Sequence, residues 1–95
     1  MKFAFLIMGD CFDAAHDTAA ICSGTARIIG VRDLAQACET ARRMQAEGVS
    51  CIELCGAFGP QGAQAVIEAT QGSVAVGYVT HLSQQDALFK ALFGE

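Results

Sequence analysis

The chain alternates between short unbroken apolar runs and longer stretches in which apolar residues recur every three or four positions. Phe3 to Met8 is the first run, closed by Gly9-Asp10, as expected of a strand covered on both faces. Asp10 to Asp17 is polar and reads as a loop. Thr18 to Cys22 predicts a short strand, Ser23-Gly24-Thr25 a turn, and Ala26 to Val31 a further strand, which together suggest a hairpin. The period then changes. Leu34, Ala37, Cys38, Ala41 and Met44 share one face of a helix. Asp33, with Gln36 three residues later, has the capping-box pattern, and Glu39 with Arg43 forms an i,i+4 pair on the other side. Gly48 supplies a left-handed cap at the C-terminus.

Ser50 to Cys55 predicts a strand. Pro60 suits the first turn of a second helix, where its missing N–H costs nothing. That helix runs to about Thr70, stops at Gly72 and buries Ala63, Val66 and Ile67. Val74 to Val79 is the next strand. Ser83, with Asp86 in the capping-box position, opens a last helix with Ala87, Leu88, Ala91 and Leu92 on one face and Phe89 and Phe93 beside it. Helices alternating with apolar strands imply parallel pairing with right-handed crossovers. The expected fold class is α/β, a small three-layer or two-layer domain. Its mostly parallel sheet would have four to five strands, with three helices, in one domain spanning residues 1–95.

Composition adds a second expectation. The chain is 53% hydrophobic with a mean hydropathy of +0.37, more apolar surface than one small core hides. A homo-oligomer would bury the remainder. The net charge of −4 and the lack of a basic cluster beyond Arg42-Arg43 argue against nucleic acid and anionic membrane surfaces. The N-terminal apolar run is short and meets Asp10 without a small-residue cleavage site, so a first strand is expected rather than a signal peptide. No run approaches the length needed to span a bilayer, and a cytoplasmic location is expected. Five irregularly spaced cysteines favour free thiols over a disulfide framework.

The chemistry concentrates in Cys51 to Gly62, C-I-E-L-C-G-A-F-G-P-Q-G. On a strand Cys51, Glu53 and Cys55 point one way. The two cysteine α-carbons would stand about 13 Å apart, too far for a disulfide or a shared metal. A carboxylate inside a sheet needs a partner. Either Arg27 or Arg32 neutralises Glu53, or Glu53 has a raised pKa and serves as acid, base or ligand. Gly56, Gly59 and Gly62 lie between a strand end and a helix start, where free N–H groups and the helix dipole favour an anion. The alternative is a tight turn with Phe58 tucked into the core. Neither a P-loop nor a dinucleotide fingerprint is present, and no cofactor is expected.

Ligands of open α/β sheets bind beyond the carboxyl ends of the strands. Those ends place Asp10, Cys55 to Gly62 and His81 in one region. Cys55 with His81 has the residue types of a nucleophile and its base, against the alternative of an inert thiol and a surface imidazole. Cys11, Asp13 and His16 share one loop as a weaker metal set, while Cys22 and Cys38 read as packing residues.

Ile28-Ile29-Gly30-Val31, the capped helix and then I-E-L-C-G-A-F-G-P-Q-G resemble a family of short prokaryotic α/β proteins of unknown function. Its strand-loop motif reads I-E-L-C-G-x-F-G-P. The resemblance marks Glu53, Cys55, Gly56, Phe58, Gly59 and Pro60. Cys11, Cys22, Cys38 and the polar first loop depart from it. It locates a site without supplying an activity. The reading is therefore a homo-oligomer binding a small anionic ligand at the Gly56–Gly62 loop. Glu53, Cys55 and His81 are its catalytic candidates, and Gly56, Phe58, Gly59, Gln61, Gly62 and Asp10 its ligand contacts. Two alternatives stand beside it: an interaction module without catalysis, and a thiol-based redox or metal protein.

Overall fold

A computed structural model describes residues 1–94. In chain order the elements are β1 (Lys2–Met8), β2 (Thr18–Ile21), β3 (Ala26–Val31), α1 (Leu34–Ala46), β4 (Val49–Leu54), α2 (Gly59–Ala69), β5 (Ala75–Tyr78) and α3 (Asp86–Phe93). They build one five-stranded sheet in the order β2-β3-β1-β4-β5. The pairs β3/β1, β1/β4 and β4/β5 are parallel, and only the edge strand β2 is antiparallel. The fold is thus α/β with a mostly parallel sheet and three helices.

The register explains the core. Leu6 aligns with Ile29 on one side and Leu54 on the other, and Ile52 aligns with Val76. Ala4, Leu6, Ile29, Val31, Ile52 and Leu54 therefore share one face, and all are fully buried. Both crossover helices cover that face. α1 contributes Ala37, Ala41 and Met44, and α2 contributes Ala63 and Val66. The alanines let the helix backbones approach the sheet closely. Each large aliphatic buried this way stabilises the fold by about 1.5–3 kcal/mol. Arg27 lies on the same side and pairs with Glu47, just beyond α1, at 2.7 Å.

The other face has no helix on it. Phe3, Phe5, Ile7, Ile28, Cys51 and Glu53 stand there, with Phe3 and Ile28 37% and 42% exposed. The apolar run of β1 is therefore not covered twice within one protomer. The physical reason is the connection between β1 and β3. It runs through the edge strand β2 instead of a helix, so the helix that would cover the second face is missing.

Two further expectations are corrected. Cys22 is not a packing residue: it is exposed and takes a positive φ of 52° in the Cys22–Gly24 turn. The last helix does not begin with a Ser83/Asp86 capping box. Ser83–Gln85 forms a separate 3-10 turn, and Gln85 precedes α3 without a side-chain cap. No described helix is long and apolar enough to cross a membrane.

Candidate functional site

The loop after β4 begins at Cys55 and turns through Gly56–Phe58 into α2. Gly59 has φ 62° and ψ −177°, a conformation confined almost wholly to glycine. This swings Phe58 back beneath the helix, where it is 5% exposed. A Cβ on Gly62 would lie 3.0 Å from Phe58 Cβ. Gly59 and Gly62 thus serve the packing of Phe58, as the tight-turn alternative anticipated. Gly56 and Ala57 stay on the exposed side of the turn, as does Gln61 at the start of α2. Asp10 is exposed in the turn after β1 and does not join the cleft described next.

β4 and β5 are parallel neighbours, so the chain leaving β5 passes beside the Cys55–Ala57 turn. Val79, Thr80 and His81 then lead to α3, which stands off the strand ends. Between them lies an open cleft of about 1050 Å³. Met8, Tyr78, Val79, Phe89 and Phe93 supply most of its wall. Cys55, His81, Asp86 and Lys90 supply the polar groups.

His81 organises one side. Its Nε2 lies 2.8 Å from Asp86 Oδ1, and its ring stacks on Phe89 at 3.9 Å with an interplanar angle of 7°. Phe89 in turn neighbours Phe93 at 5.9 Å. Asp86, expected to cap the helix, holds the imidazole instead. Cys55 Sγ accepts a hydrogen bond from the Met8 N–H at 3.3 Å. Cys55 and His81 therefore share a cleft, but no hydrogen bond joins them as nucleophile and base. Lys90 makes no ion pair among the described residues.

Glu53 lies elsewhere. It is exposed on the bare face of the sheet, and neither arginine reaches it: Arg27 pairs with Glu47, and Arg32 with Asp13 and Asp33. Its carboxylate instead lies across the neighbouring strand. A Cβ on Gly77 would sit 2.8 Å from Glu53 Oε1. Gly77 is the register partner of Glu53, and a glycine within a strand signals such a close approach. Burial, and then the Glu53 charge, push the Cys51 thiol above its ordinary range.

Sequence reasoning missed Lys90 as a cleft residue and Gln36 as an organiser of the first loop. Phe89, set aside from the main apolar stripe of α3, was the available signal for the cleft. Cys11, Asp13 and His16 do not converge on a common point. Among the described residues no group of three or more His, Cys, Asp or Glu side chains is placed to hold a metal ion.

Fold and site together define a small α/β protein with one bare sheet face and an apolar cleft at the carboxyl ends of its parallel strands. The chain matches the family of unknown function DUF6506 over residues 1–94, and it belongs to that family. No curated protein and no solved structure matches it.

Proposed function

We propose that the protein binds a small molecule with a flat apolar body and an anionic group, in the cleft between the Cys55–Ala57 turn, the end of β5 and α3. The observation that carries this reading is the cleft itself, about 1050 Å³ of mostly apolar wall at the strand ends. Ligand sites are of this size and character, with few polar groups fixing orientation. The His81, Phe89 and Phe93 rings, stacked on one another, give the cleft an aromatic wall for an apolar body. The Lys90 ammonium in the cleft wall favours an anion. In this reading Gly59 and Gly62 serve the packing of Phe58, and Gly56 and Ala57 are the part of the loop that lines the cleft. The reading is one of binding, carried by the cleft: Cys55 and His81 share it without a hydrogen bond between them, and Glu53 lies outside it.

Titration with 1-naphthoate and with the neutral 1-naphthamide, followed by calorimetry and amide NMR shifts, tests this. Naphthoate should bind about five-fold tighter than the amide, the scale of one charge-assisted contact of roughly 1 kcal/mol. Lys90→Gln should remove that difference, and Phe89→Ala should weaken both ligands. Absence of binding at millimolar concentration, or binding indifferent to both substitutions, sinks the proposal.

A further inference from the structure

The bare face of the sheet is mostly apolar and unused by the cleft. Its rows are set by the register. Ile21, Ala26, Phe3, Cys51 and Ala75 form one row across the five strands, and Ala19, Ile28, Phe5, Glu53 and Gly77 the next. One carboxylate is the only charge in these ten positions. We propose that this face is the interface of a homodimer, in which a second copy lays the same face across it by a two-fold rotation.

Four observations support a second copy as the occupant. The first is area. Five strands about 4.8 Å apart and about 13–23 Å long, with side chains standing off the sheet, present on the order of 500–600 Å². That approaches the roughly 600 Å² per partner at the low end of stable interfaces. The second is shape. A twisted sheet packs best on another sheet of the same twist, at about 10 Å separation, and a second copy supplies one. The third is charge. Glu53 turns away from Phe5 and lies over Gly77, at the edge strand. A two-fold axis near Phe5 therefore keeps each carboxylate about 10 Å from the axis, two strands away. An apolar centre with a charged rim results, the anatomy of a protein interface. Lastly, a shallow hollow of about 220 Å³ lies on this face, lined by Ile7, Phe12, Ala19, Ile28 and Gly30 with Asp17 and Thr18 on one side. Its apolar side can receive an apolar side chain from the facing sheet. The pair becomes four layers, helix-sheet-sheet-helix, and covers Phe3, Ile21 and Ile28, which are exposed in one protomer.

Light scattering after size exclusion, on the full chain from about 1 to 100 μM, provides the test. Wild type should show twice the 9.9 kDa protomer mass. Ile28→Asp should give a monomer with the circular dichroism of the folded protein, because Ile28 is not in the protomer core. Leu92→Asp on α3 should leave the dimer intact. In a mixture of ¹³C-labelled and unlabelled wild type, filtered NOEs should connect the Ile28 methyls to protons of the other copy; this readout needs no variant. A wild type that is monomeric throughout overturns the proposal and leaves the face to a different partner. So does a dimer that survives Ile28→Asp, one abolished by Leu92→Asp, or one without filtered NOEs at Ile28. None of these outcomes bears on naphthoate binding, which reads the cleft separately.

Discussion

Gln36 does more than its capping position announces. Its backbone N–H donates to Asp33 Oδ1 at 2.8 Å, the expected cap. Its buried side chain reaches elsewhere: Oε1 accepts the N–H groups of Arg32 and Ala14, and Nε2 donates to Asp13. One side chain thus ties the first loop to the start of α1. Gln36→Ala orphans two backbone donors, at about 1–3 kcal/mol for each that stays buried. Urea unfolding should show a loss of about 2 kcal/mol; a loss below 0.5 kcal/mol would mean water replaces the amide. Asp13 gives the same cluster a pH signature. The Gln36 hydrogen bond first, then the Ala15 N–H and the charges of Arg32 and His16, hold its carboxyl below the ordinary value of 3.8. A carboxyl depressed by folding stabilises above its unfolded pKa. That contribution is lost as pH falls through the lower folded value. Asp13→Asn should therefore flatten the acid limb of stability below about pH 4 and leave its shape at neutral pH unchanged, as followed by thermal unfolding across pH. At this scale the sequence showed the residue types, and the structure chose their partners. Glu53 needed no arginine because one face of its strand is open.

Most elements were legible because each obeys a local rule. Ala26 to Val31 was bounded by a turn and a capped helix, and β3 occupies those residues. The strand predicted from Ser50 to Cys55 is shifted by one residue, to Val49–Leu54. The last helix failed the local rule at its start. Asp86 had a nearby imidazole to bind and took it in place of the cap. α3 has eight residues, fewer than the roughly 12 an isolated helix needs to persist in water. Apart from its leading turn, the His81–Asp86 contact and the ring stack, little holds it. Its amides should exchange orders of magnitude faster than those of α1 in the free protein, and slow when 1-naphthoate is added. Exchange by mass spectrometry measures both, and an α3 already as protected as α1 would contradict this account of the helix.

The whole molecule shows what local patterns cannot carry. Periodicity told which residues of each segment are apolar and therefore which elements form, since a strand or helix is shaped by neighbours along the chain. It also placed the glycine turn and the strand ends in one region, because parallel strands joined by a helix must run the same way. It did not tell that α1 and α2 lie on the same side of the sheet. That arrangement follows from the strand order, since both right-handed crossovers step the same way across the sheet. With β2 in place of a helix between β1 and β3, it leaves Phe3, Phe5 and Ile28 on a face that the same apolar pattern had assigned to a core. Nor did it tell that α3 stands off the strand ends and opens a cleft beside Cys55. The sequence by itself determined the elements, the parallel pairing and the neighbourhood of the site. The tertiary structure alone decided which apolar surface is buried within one protomer and which is left uncovered. Burial is a property of three-dimensional packing, and a residue's hydrophobicity says only that it should be covered, never by what.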